Sequence, residues 1–198
     1  MKKEKKKYCA WTPGHELKYW NKNGIRKGTH IYEQYAKAFK MEDYDFNDKV
    51  VGDIGCGPFG GVFYNNIDSN IIPIDVLANE YNEMGHCNKE IIMGDLYEGL
   101  PFKDDHFDYI ICTNAIDHIT EVKTGFDEIF RVVKQGGVAF IHVHLRNEDQ
   151  LGKAHIHPLN LNQVKEMVSK FNTINIEEDV DWVNDESQRM AAYLTLRK

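Results

Sequence analysis

Residues 50–61 read VVGDIGCGPFGG. A short apolar run enters a glycine-rich turn, and small residues dominate the exit. Gly55 and Gly57 let the backbone bend and come close to a ligand. Such a turn at the end of a strand predicts a nucleotide-like ligand. In open α/β sheets ligands bind outside the carboxyl ends of the strands, where the strand order reverses.

The flanking sequence has the pattern such a sheet needs. KVVGDI (49–54), NIIPID (70–75), EIIM (90–93), FDYIICT (107–113) and GVAFIHV (137–143) predict five strands. Segments of helical character separate them, notably 77–84 and 122–134. Continuous apolar strands alternating with helices indicate a parallel sheet covered on both faces. Further on, NLNQVKEMVSKF (160–171) predicts a helix with Leu161, Val164, Val168 and Phe171 on one side. TINIEE (173–178) and MAAYLTLRK (190–198) follow as strands with no helix between them, an arrangement that is normally antiparallel. Upstream, residues 13–42 predict two helices broken near Asn23-Gly24. The expected fold is α/β: a Rossmann-like, doubly wound, mostly parallel seven-stranded sheet with an antiparallel last strand and N-terminal helices.

At 198 residues the chain is expected to form one domain. It divides into a basic tail (1–10), an N-terminal helical segment (13–45) and a cofactor-binding core (48–198). Five lysines and one glutamate fill the first seven residues, while the whole chain carries −7. The remainder therefore carries −11, a poor surface for nucleic acid, whose binding depends on neutralising phosphates. No apolar run is long enough to span a membrane, and no secretory signal is evident, so the expected location is cytoplasmic. Cys9, Cys56, Cys87 and Cys112 show no paired spacing and read as reduced thiols.

Asp75 ends the second strand, twenty residues after Gly55, a spacing that suits hydrogen bonds to ribose hydroxyls. These features alone suit NAD equally. Three details decide against it. Asp53 lies inside the turn motif, where a carboxylate repels pyrophosphate but suits an ammonium or sulfonium ligand. Pro58 removes a backbone donor that phosphate would use. Asp95 follows the third strand and can accept from an adenine amino group. Three carboxylates at successive strand ends describe a cationic adenosine ligand, and S-adenosylmethionine fits.

At this point the chain resembles a known family. VVGDIGCGPFGG, IIPIDVLANEY, GDLYEGLPFKDDHFDYIICTNAIDHI and FDEIFRVVKQGGVAFIHVH are similar, in order and spacing, to the motifs of class I S-adenosylmethionine-dependent methyltransferases. The resemblance covers roughly 48–145. The family's common third glycine is replaced by Phe59, and the pair Gly60-Gly61 follows instead, a form found in a subgroup that looks like small-molecule and sugar methyltransferases. The resemblance implies that Asp53, Gly55, Cys56 and Gly57 line the methionine end. It assigns Asp75 to the ribose, Val76, Asp95 and Leu96 to the adenine, and Asn114 to a place near the methionine. It also implies that the N-terminal segment, with Trp11, Tyr19, Trp20, Tyr32 and Tyr35, covers the cofactor.

An alcohol acceptor benefits from a base that titrates near neutral pH, and histidine is the usual one. His118 follows the fourth strand, His142 and His144 end the fifth on one face, and His155 and His157 follow in a loop. His144, His118 and His157 are the candidate catalytic residues, and Arg146 is a candidate for holding an anionic substrate group. The two HxH pairs lack a carboxylate at matching spacing, so no metal site is expected. With no added recognition domain visible, the expected acceptor is a small molecule bearing a hydroxyl or amine. The alternatives are a non-catalytic cofactor-binding partner subunit and an enzyme acting on a macromolecule.

Overall fold

The computed structural model describes residues 13–23, 29–63, 70–151, 157–180 and 190–198. The lysine-rich tail, Cys9, Trp11, His155 and the side chain of Tyr32 lie outside the described residues.

Seven strands form one sheet: β1 (Val50–Ile54), β2 (Asn70–Asp75), β3 (Ile92–Met93), β4 (Phe107–Thr113), β5 (Val133–Leu145), β6 (Asn172–Val180) and β7 (Met190–Arg197). Their order is β3-β2-β1-β4-β5-β7-β6. The pairs from β3 to β5 are parallel, and β7 runs antiparallel to both β5 and β6. The order reverses between β1 and β4, so the predicted binding point lies at the ends of those two strands.

The helices are α1 (Pro13–Asn23), α2 (Thr29–Ala38), α3 (Ala78–Met84), α4 (Val122–Val132) and α5 (Leu161–Met167). In α4, Val122, Phe126, Ile129 and Val132 recur at helical spacing and are all buried against the sheet. A Phe or Ile buried this way stabilises the fold by roughly 1.5–3 kcal/mol. Asn160 caps α5 reciprocally: its side chain accepts from the Gln163 amide at 3.0 Å, and the Gln163 side chain accepts from the Asn160 amide at 2.9 Å.

Among the elements that differ from their expected extents are α5, β3 and β5. Helix α5 ends at Met167 rather than Phe171, because Val168–Phe171 turns so that the Phe171 ring meets Phe130 edge-on at 4.9 Å. Strand β3 keeps only two residues, at the sheet edge, and Met93 there is exposed. Strand β5 begins four residues early, because Val133 already pairs with Phe107, and the extra residues before Val138, with Gly136 at φ 77°, are taken up in a bulge.

Residues alternate across β5. Ala139, Ile141, Val143 and Leu145 join the core under α4 and α5. Val138 and Phe140 face the core beneath α2, with Tyr35, Phe39 and Tyr193. His142 and His144 continue that second face toward the strand's end. No helix among the described residues is long and apolar enough to cross a membrane.

Candidate active site

The glycine turn leaves β1 with Gly55 at φ 71°, a left-handed conformation that only glycine adopts without strain. Space requires glycine there as well: a Cβ on Gly55 would lie 2.3 Å from the Cβ of Ala115, just past β4. The turns after β1 and β4 are thus in direct contact at the switch point. Gly60, at φ 59°, does the close packing that a third motif glycine would do, since a Cβ there would meet Cys87 Sγ at 2.6 Å. Phe59 is consequently turned inward and buried, with its ring 5.6 Å from Trp20.

Two carboxylates lie under this turn. Asp53 is 2% exposed, and its Oδ2 has no hydrogen-bond partner among the described residues. Burial, and next the charge of Asp75, push its carboxyl up to about 7. Asp75 accepts from the Gly57 amide at 3.0 Å and from the Leu77 amide at 2.9 Å. Burial pushes Asp75 up to about 6, and these two amides oppose the rise. Among the described residues no cation lies beside these two buried carboxylates, and a cationic ligand would relieve the cost of burying their charge. Asp53 supplies the partnerless oxygen. Each Asp75 oxygen has a second lone pair beyond the one taken by an amide.

The other residues expected at the cofactor are placed unevenly. Val76 is partly buried beside Leu77 and Tyr81, and Leu96 is buried. Asp95 caps a turn, its Oδ1 accepting from the Tyr97 amide at 2.8 Å. Asn114 is exposed at the end of β4 with φ 53°. Cys56 presents only its backbone to the turn, because its buried side chain donates to the Gly57 carbonyl at 3.3 Å.

Helix α1 packs over the turn. Trp20 donates to Glu16 at 2.6 Å, and a Cβ on Gly57 would lie 3.7 Å from the Trp20 ring. The shallow cleft beside it is lined by Trp20, Asn21, Pro58, Phe59, Met84 and His86.

The candidate histidines gather at the ends of β4 and β5. His144 is 2% exposed, and its Nδ1 lies 2.8 Å from Oδ2 of Asp117, in the 3-10 turn Ile116–His118. His118 is the next residue, and the ligand atoms of Asp117, His118 and His144 all lie within 4.8 Å of one another. Below them, the rings of His142 and His144 are 4.9 Å apart, and His142 packs between Tyr35 and Tyr193. His157 approaches from its own loop but commits Nε2 to the Ile119 carbonyl at 2.7 Å. It ties down the loop that follows His118. Arg146 is buried two residues beyond His144.

Asp117 is the candidate site residue that pattern reading misses. The expectation of no carboxylate to match the histidines holds along the sequence and fails in space. The parallel pairing Thr113↔His142, carried on past the strand, sets the turn after β4 beside His144.

Comparison with known proteins accords with this geometry. Residues 52–141 match the family model described as a methyltransferase domain. Those residues are a class I, S-adenosylmethionine-dependent methyltransferase domain. The chain is 31% identical to an uncharacterised protein of Methanocaldococcus jannaschii over 79% of its own length and 66% of that protein's. It is 32% identical to an uncharacterised methyltransferase of Bacillus subtilis over 48% of this chain and 37% of that one. The chain thus spans about two thirds or less of the length of the curated relatives it matches. A solved complex of the Haloferax volcanii Trm112 methyltransferase activator with a methyltransferase superposes with a TM-score of 0.65. That likeness covers 91% of this chain and 97% of the other at 13% identity.

Proposed function

We propose that the protein transfers a methyl group from S-adenosylmethionine to a hydroxyl or amine of a small molecule. The supporting observation is that the cationic-ligand site under the glycine turn adjoins the Asp117–His118–His144 group. Gly55 abuts Ala115, and Asp117 lies two residues further along the same turn. Both groups act on Cys112, whose thiol is pushed up first by burial, and then by the charges of Asp53 and Asp117.

S-adenosylmethionine, when bound, supplies a methyl group activated by its sulfonium. The chain's own residues do the rest. Asp53 accepts from the ligand's ammonium group. Gly55 and Gly57 allow backbone approach, and Asp75 accepts from the ribose hydroxyls while holding the Gly57 amide. Trp20 on α1 excludes water from above. His144, oriented by Asp117, and His118 face the acceptor and manage its proton. His157 positions the loop carrying His118 rather than reacting itself.

Two measurements test this reading. Calorimetric titration should show binding of S-adenosylmethionine or S-adenosylhomocysteine and none of NAD. A transfer assay with methyl-labelled S-adenosylmethionine against fractionated small metabolites should label at least one fraction, with labelling reduced ~10²-fold in His118→Ala. Binding of NAD in preference to S-adenosylmethionine would overturn the assignment.

A further inference from the structure

Asp117, His118 and His144 form a combination that the motif pattern does not contain. Two imidazoles and one carboxylate converge from two strand ends, with their ligand atoms within 4.8 Å of one another. We infer that this group is a binding site for a divalent first-row transition ion, which holds an oxygen-bearing acceptor beside the methyl donor. The inference rests on the proposed reading that this end of the sheet receives the acceptor.

The donor chemistry selects the ion. Nitrogen and carboxylate donors suit Zn²⁺, Mn²⁺, Fe²⁺ or Co²⁺, whereas Mg²⁺ and Ca²⁺ prefer all-oxygen sites. Zinc ligand atoms sit about 2.0–2.2 Å from the ion. Two such ligands are then roughly 3–3.5 Å apart at tetrahedral or octahedral angles. The 2.8 Å between His144 Nδ1 and Asp117 Oδ2 needs only a small opening to reach that spacing. An ion placed there displaces the proton that the two atoms share and releases it to solvent.

The surroundings also favour an ion. Asp117 and His144 are buried, so neither retains a full hydration shell. His118 is less buried than Asp117 and His144. Three protein ligands leave at least one coordination position, as in catalytic zinc sites. A hydroxyl bound at that position has a lowered pKa and gives its proton to solvent. Its oxygen then takes the methyl group as the sulfonium S–CH3 bond breaks and S-adenosylhomocysteine leaves. His118 and His144 thus manage the acceptor's proton through the ion rather than as free bases. His142 packs against His144 from below, at 4.9 Å between rings, and limits its movement.

The test uses the full chain, stripped of metal by chelation and dialysed. Calorimetry with Zn²⁺ should give one site of micromolar or tighter affinity, with protons released. Co²⁺ should add visible absorption bands characteristic of nitrogen and oxygen ligation. His118→Ala, a substitution at a partly open position, should weaken the site at least tenfold, as should Asp117→Asn. Because Asp117→Asn is buried and could unfold the protein, His118→Ala decides, provided its circular dichroism matches the parent. Equal Zn²⁺ affinity in parent and His118→Ala would overturn the inference, since the ion would then lie on other side chains. Methyl transfer that survives chelation, in a protein with no Zn²⁺ or Co²⁺ site, would overturn it and leave the methyltransferase reading standing. A Zn²⁺ site lost in His118→Ala, with no S-adenosylmethionine binding, would support the metal site and sink the methyltransferase reading.

Discussion

Asp75, at the end of β2, holds the glycine turn of β1: its Oδ2 accepts from the Gly57 amide at 3.0 Å. Its other oxygen accepts from Leu77 at the start of the next turn. One carboxylate therefore fixes two loops and still has lone pairs for ribose hydroxyls. Asp75→Ala should weaken S-adenosylhomocysteine binding by ~1–3 kcal/mol, the cost of losing hydrogen bonds to a charged acceptor. The Gly57 amide should also exchange its hydrogen faster in the ligand-free variant. Unchanged affinity in calorimetry would show that the ribose lies elsewhere.

The contact between Gly55 and Ala115 gives a second test. Gly55→Ala adds a methyl 2.3 Å from the Ala115 Cβ on a backbone at φ 71°. Strain and overpacking together should cost roughly 2–5 kcal/mol. Adding Ala115→Gly removes the clash and leaves the strain, so the double variant should regain part of the loss. Urea unfolding of the four proteins measures this coupling. Strictly additive costs would mean that the two turns do not touch.

Asp53 predicts two opposite pH dependences. Its carboxyl is raised to about 7 in the folded protein, and an unfolded carboxylate titrates near ~4. Such a group contributes stability that is fully present below ~4 and lost as pH rises through about 7. The ligand-free protein should therefore lose stability between pH 4 and 7.5 on this account. Asp53→Asn should flatten that slope and raise stability at pH 8 by ~1–3 kcal/mol, since a neutral group replaces a buried charge. Binding should run the other way. Ionised Asp53 attracts the ammonium of the cofactor, so affinity should rise from pH 6 to 8 in the parent and much less in the variant. Thermal melts and titrations at pH 5.5 and 8 check both. Parallel curves for parent and variant would remove Asp53 from the site.

The strands were legible because burial on both faces writes them as continuous apolar runs, and β1, β2 and β4 follow those runs closely. The ends of β5 and α5 were not, because Gly136 and Phe171 act through the tertiary contacts around them. At the site, Asp53 and Asp75 could be read from their distance to Gly55, since strand and turn fix that geometry locally. Asp95 could not be separated from a turn cap by spacing, and its Oδ1 does cap a turn. Asp117 stayed hidden because its partner His144 is 27 residues away and reaches it only through the pairing of β4 with β5. A strand register carried one turn beyond Thr113 is the signal that would find it.

Trp20 separates two roles for α1. Its ring meets Phe59 edge-on at 5.6 Å, its indole nitrogen donates to Glu16, and it stands over Gly57. If α1 only packs against the sheet, Trp20→Ala should lower the melting temperature equally with and without ligand. If α1 covers the bound cofactor, the variant should instead lose part of the stabilisation that ligand gives by mass action. The second outcome is expected, because the Trp20 ring stands over Gly57 and Phe59 and packs on the small cluster around Cys56 and Leu77, apart from the main core. Trp20 is half-buried, whereas Tyr35 on α2 and Phe39 just after it are buried. Dissociation of labelled S-adenosylhomocysteine should be at least fivefold faster in Trp20→Ala, with association changed much less, since a cover acts mainly on escape. Tyr35→Ala serves as the contrast: it should destabilise the protein by several kcal/mol through core loss, with dissociation near the parent rate. Equal dissociation rates in Trp20→Ala and the parent would make α1 a packing element alone.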